Sequence, residues 1–106
     1  MNITKLGHCC LLIETKGKRI LTDPGNYTAD AHSKLENIDY ILFTHEHQDH
    51  YHLESLKTIL QKNPQAIIYS NNSVSELLTK ESIQHIQVNL KVPVLKANDF
   101  LDSYFF

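Results

Sequence analysis

The sequence predicts an α/β layered fold, and three observations carry the prediction. Short apolar segments bounded by turn residues recur through the first 25 residues, the pattern of strands joined by tight turns. From residue 39 onward, apolar runs of strand length alternate with segments whose apolar side chains recur at helical spacing. The chain has 106 residues, 42% hydrophobic and 21% charged, which suits one small globular domain and not a disordered segment. A single domain over residues 1–106 is the expected organisation.

Each element has its own local reason. Residues 3–6 alternate apolar and polar and run into Gly7-His8. Residues 9–14 (Cys-Cys-Leu-Leu-Ile-Glu) read as a strand, and Thr15-Lys16-Gly17-Lys18 as a hairpin turn in which Gly17 supplies a positive φ. Residues 19–22 are the return strand, stopped by the turn signal Asp23-Pro24-Gly25. Together these segments predict an antiparallel meander. Residues 26–37 are polar and aperiodic, a loop with one helical turn near Ala29–Lys34. Residues 39–44 are nearly continuously apolar, as in a strand covered on both faces. Leu53, Leu56, Ile59 and Leu60 form a helical stripe, and Asn63-Pro64 ends it because the residue before proline is driven out of the α region. Residues 65–70 predict a strand. Ser73-Val74-Ser75-Glu76 has the form of a capping box opening a helix with Val74, Leu77 and Leu78 inward. Residues 83–88 and 92–95 predict two further strands, and the aromatic ending Tyr104-Phe105-Phe106 the start of another.

Composition excludes several roles. A net charge of -2 and a pI near 6.4 give no electrostatic footprint for nucleic acid or a membrane surface. No run approaches the roughly 18 apolar residues of a membrane span. Cys9 and Cys10 are adjacent, so on a strand they point to opposite faces and a bridge between them is sterically poor. They read as small apolar fillers in a reducing compartment. The opening Met1-Asn2-Ile3-Thr4-Lys5 lacks the apolar core of a signal peptide, and a cytoplasmic location is the expectation.

The chemistry concentrates in Thr44-His45-Glu46-His47-Gln48-Asp49-His50-Tyr51-His52, which holds four of the chain's seven histidines. Imidazole and carboxylate are ligands that zinc and iron accept together. In an extended segment His45 and His47 lie on the same side, and Asp49 and His50 follow in the turn that begins the next helix. Two ions held by these two pairs, sharing a bridging water, would generate a nucleophile at neutral pH. The zincin pattern fails, because position 49 is Asp and not His. His52, at the second helical position, reads as a solvated or capping residue, Tyr51 as a packing residue, and His32 and His85 as structural or exposed.

His-x-His-x-Asp-His after an apolar strand resembles the signature of the metallo-β-lactamase fold superfamily of metal-dependent hydrolases. Ile3–Glu14 resembles the first hairpin of the branch related to L-ascorbate-6-phosphate lactonase, and Ile20-Leu21-Thr22-Asp23-Pro24-Gly25 resembles the superfamily's second motif. The resemblance implies the N-terminal half of an αββα sandwich, with a mixed, largely antiparallel sheet and flanking helices. It implies His45 and His47 on a first metal, Asp49 and His50 on a second, Asp49 also handling the proton of the attacking water, and Asp23 and His8 in support. The implied cofactor is Zn2+, one or two ions, with Mn2+ or Fe2+ as substitutes. The implied reaction is attack of metal-activated water on an ester, lactone, amide or phosphodiester of a small-molecule substrate. The family's later ligands fall beyond this chain, so the site is expected to be incomplete here. Two alternatives follow: a non-catalytic metal-binding fragment, or a half-domain whose open sheet face is covered by a homodimer partner or a complementary chain.

Overall fold

A computed structural model describes residues 1–7 and 9–88. The strands are β1 (Asn2–Gly7), β2 (Cys10–Thr15), β3 (Lys18–Thr22), β4 (Tyr40–Phe43), β5 (Ile67–Ser70) and β6 (Ile86–Gln87), and the helices are α1 (Ala29–His32), α2 (Leu53–Lys62) and α3 (Asn72–Lys80). A 3-10 turn, Asn26–Thr28, precedes α1. Among the described residues the strands form one sheet in the order β1-β2-β3-β4-β5-β6.

The first three strands form the expected meander, with β1 and β3 both antiparallel to β2. The β2–β3 turn is two residues long, Lys16 at φ 51° and Gly17 at φ 76°, closing on the pair Thr15–Lys18. Positive φ at both central positions is the geometry whose twist matches paired strands. The sheet is mixed, as expected, but not largely antiparallel: β3–β4, β4–β5 and β5–β6 are all parallel. The reason is connection length. The links from β3 to β4 and from β4 to β5 each contain a helix, and a helical crossover returns the chain to the same end of the sheet.

Strand alternation divides the apolar residues between two faces. Cys10, Leu12, Leu21, Ile41, Phe43 and Ile68 pack with Leu56 and Ile59 of α2 and Val74 and Leu78 of α3. Leu42 and Tyr69 turn the other way and cluster with Val88 and Tyr40. Ile13 and Ile20 are buried as well. Burial on both faces is what the unbroken apolar run of β4 requires. Asn63 closes α2 and joins three segments: its Nδ2 donates to the carbonyls of Leu35 and Ile59, and its Oδ1 accepts from Ile38 N.

Three other local expectations are corrected. The cap of α3 is Asn71, whose side chain accepts from Val74 N at 3.0 Å, so Ser73 and Glu76 are not its box. Asn71, two residues earlier, holds the N-cap position with extended backbone (φ -77°, ψ 179°), from which its side-chain oxygen reaches a free N–H of the first turn. The segment 83–88 forms a strand only at Ile86–Gln87, with His85 Nδ1 turned back onto Ile83 O. The helix after the histidines begins at Leu53, with His52 as its N-cap residue (φ -133°, ψ 112°), not inside the helix. The strand expected at 92–95 and the aromatic ending lie outside the described residues.

Candidate metal centre

The parallel strands leave their C-terminal ends on one edge of the sheet, where ligands collect in open α/β sheets. Asp23 follows β3, the histidine loop follows β4 and Asn71 follows β5. Because β2 runs antiparallel to β3, the β1–β2 turn carrying Cys9 reaches the same edge. A register shift between Lys5 and Gly7, with Gly7 at φ 134°, displaces that turn from a regular hairpin.

The loop Thr44–His50 is held from several sides. Asp23 is buried, with its backbone at φ 41°, a left-handed conformation that aspartate tolerates better than most residues. Its Oδ1 accepts from Thr44 N at 2.8 Å and its Oδ2 from Thr44 Oγ1 at 2.6 Å. Asn71 Nδ2 donates to Thr44 O at 2.7 Å. Asn26 N donates to Gln48 O at 2.8 Å. Gly25 lies so close to the loop that a Cβ there would fall 2.0 Å from Asp49 O, so only glycine fits. Behind Gly25, buried His32 sets its Nε2 3.0 Å from Gly25 O. A carbonyl only accepts, so Nε2 carries the proton and Nδ1 is bare. Burial holds the His32 pKa below its ordinary value, with His52 pushing the same way and the Gly25 bond opposing.

The loop closes as a turn in which His47 O accepts from both His50 N (2.9 Å) and Tyr51 N (2.8 Å). That turn is not continued, because the chain is extended at His52. Asp49 and His50 therefore sit in a turn ahead of α2, not at its start. Tyr51 packs edge-on against Phe43 at 5.2 Å between ring centres, fixing the exit from the turn.

These contacts determine proton positions. A carboxylate can only accept, so Thr44 Oγ1–H donates to Asp23, and the hydroxyl oxygen is left to accept from His45 Nδ1, 2.9 Å away. His45 then carries its proton on Nδ1 and presents a lone pair on Nε2. His50 Nδ1 lies 3.2 Å from Asp23 Oδ2, and its Nε2 3.6 Å from Asp49 Oδ2. The His45 and His50 rings lie 4.3 Å apart, tilted by 45°.

Among the described residues, two groups of ligand atoms lie within 4.8 Å of one another: Asp23, His45 and His50, and Cys9, Asp49 and His50. His47 belongs to neither group and is exposed. His8 lies outside the described residues. The donors fit a divalent ion: adjacent ligand atoms on a tetrahedral zinc are about 3.4 Å apart, close to the His50–Asp49 separation. No site role for Cys9, Thr44, Gly25 or Asn71 is legible in the sequence. Cys9 is half-buried and its Sγ donates to Asp49 O at 3.1 Å. Burial, then Asp23 and Asp49, raise its pKa. Cys10, in contrast, is buried in the core and pushed up to about 12, chiefly by burial. A turn glycine and a cap asparagine gave no signal beyond their local conformations.

A mixed sheet presenting imidazole, carboxylate and thiol donors past the ends of its parallel strands defines an α/β domain with a candidate metal centre. Within that class, the model of the beta-lactamase superfamily domain matches residues 2–99, and the chain belongs to that family, with the metallo-β-lactamase fold. It is 39% identical over 93 residues to a UPF0173 metal-dependent hydrolase of Flavobacterium johnsoniae, covering 84% of this chain and 40% of that protein. Igni18, a metallo hydrolase from Ignicoccus hospitalis, superposes with a TM-score of 0.62 at 27% identity, over 82% of this chain and 39% of that one. A crystal structure from Parabacteroides distasonis shares the fold with a TM-score of 0.68 at 24% identity, over 81% of this chain and 36% of that one. The chain spans less than half the length of the curated relatives it matches. Among the described residues no helix is long and apolar enough to cross a membrane.

Proposed function

We propose that this chain carries the metal-binding half of a hydrolase site. Its substrate is a small molecule with an ester, lactone, amide or phosphodiester bond. The supporting observation is the pair of ligand groups sharing His50, each with its donor atoms within 4.8 Å. The family membership and the relatives named as metal-dependent hydrolases favour the same reading.

His45, His50 and Asp49 are the residues of this chain that would hold the metal, with exposed His47 as a further donor on the loop. Their imidazole and carboxylate donors suit Zn2+, one or two ions, before Mn2+ or Fe2+. Such an ion, when bound, supplies a lowered pKa for water and polarises the bond under attack. Asp23 and Thr44 orient His45 and fix its tautomer, so that the Nε2 lone pair is available without reorganisation. In this reading the Asp49 carboxylate also takes up the proton of the attacking water. Completion of the site by further residues, from the same polypeptide or from a partner chain over the sheet, belongs to this proposal, as does a cytoplasmic location.

The test is elemental analysis for zinc, manganese and iron on the purified chain, run beside hydrolysis of generic phosphodiester and lactone substrates. Stoichiometric metal with turnover supports the proposal in full. Metal without turnover supports a binding fragment in place of a hydrolase, and absence of metal overturns both.

A further inference from the structure

We propose that Cys9 is a metal ligand, its thiolate joining Asp49 and His50 as a third protein donor to one ion. The inference rests on the metal-site reading above and goes beyond it, because a catalytic zinc takes three protein ligands and the histidine loop supplies two to this half of the site. Three unlike donors from two distant segments converge here, with ligand atoms of Cys9, Asp49 and His50 all within 4.8 Å. His50 turns Nδ1 toward Asp23, leaving Nε2 on the side of Asp49. Cys9 enters from the displaced β1–β2 turn, which Thr22 fastens to β3: its Oγ1 donates to Cys9 O at 3.4 Å and accepts from Leu11 N, the second residue of β2, at 3.0 Å. A sulfur at 2.3 Å and a nitrogen or oxygen near 2.0 Å from one tetrahedral ion lie about 3.5 Å apart, so side-chain shifts of about 1 Å close the set. In the structure the thiol S–H donates to Asp49 O. On coordination that proton leaves to solvent and the S–metal bond replaces the S–H bond, with no change of oxidation state. Cys10, one residue on, faces the core and takes no part.

The experiment is titration of the full, metal-stripped chain with Co2+ under a non-thiol reductant, read by absorption. Wild type is expected to develop visible d–d bands together with a thiolate-to-cobalt charge-transfer band in the near ultraviolet. Cys9→Ser is expected to keep d–d bands, lose the charge-transfer band and bind Co2+ at least about tenfold more weakly, the lower bound seen even for residues that only support a ligand. Cys10→Ala is expected to keep the charge-transfer band. A wild type with d–d bands but no charge-transfer band, or a band that persists in Cys9→Ser, overturns the role of Cys9 and leaves the metal site standing. Failure of wild type to bind Co2+ at all overturns both.

Discussion

Asp23 is the residue on which the site's proton arrangement depends. Both of its carboxylate oxygens accept from Thr44, and one also faces His50. Asp23→Asn replaces one acceptor by an NH2 group, so Thr44 no longer has to donate in that direction and the His45 tautomer is no longer imposed. Zinc affinity should fall about 10- to 100-fold with the far-ultraviolet circular dichroism unchanged. Chelator competition measures the loss, and an unchanged affinity would refute the orienting role. The sequence made Asp23 visible as a turn residue and, through the family resemblance, as a supporting one. It did not reveal the partner, because a hydroxyl at Thr44 carries no signal until the two strand ends are side by side.

His32 titrates at the same scale. Its folded pKa lies below the ordinary 6.5, so between the two values the unfolded chain binds more protons. The His32 contribution is thus fully present above about pH 6.5 and is lost as the pH falls toward the folded pKa. Urea unfolding of the metal-stripped protein at a series of pH values should show stability declining below about pH 6.5. The decline should be shallower in His32→Gln, which keeps a donor for Gly25 O but does not titrate. Equal slopes in the two proteins would contradict this account.

At the scale of elements, the strands and helices followed from periodicity, and their ends did not. The α2 stripe predicted Leu56 and Ile59 inward, and both are fully buried. The start of α3 depended instead on which nearby side chain takes the free N–H groups, and the exit from the histidine loop on extended backbone at His52, neither of which spacing alone decides. Asn71 shows the consequence, since it caps α3 through Oδ1 and holds Thr44 O through Nδ2. Asn71→Ala removes both bonds and should cost about 1–3 kcal/mol, the sum of a lost cap and a lost hydrogen bond to a half-buried carbonyl. Denaturant unfolding measures the loss. A Ser73→Ala variant should cost far less, and a reversed order would restore the capping box at Ser73–Glu76.

At the scale of the molecule, the site is a product of topology. Parallel β3, β4 and β5 end on one edge, and the antiparallel β1–β2 turn is brought to that same edge. The meander and the histidine motif were legible because turn residues and ligand spacing are local. The majority of parallel pairings was not, since it depends on where the crossovers return. The participation of Cys9, 40 residues from Asp49, was equally invisible, as a cysteine in an apolar run looks like any small core residue.

In the proposed site the loop after β4 holds a divalent ion through His45, His50 and Asp49. Calorimetric titration of Zn2+ into the EDTA-stripped full chain tests it directly, beside a His45→Ala/His50→Ala double variant whose circular dichroism matches wild type. Wild type should bind zinc saturably, and the variant, which lacks two of the three ligands, at least about a hundredfold more weakly. Zinc binding that is identical in the two proteins would contradict that assignment.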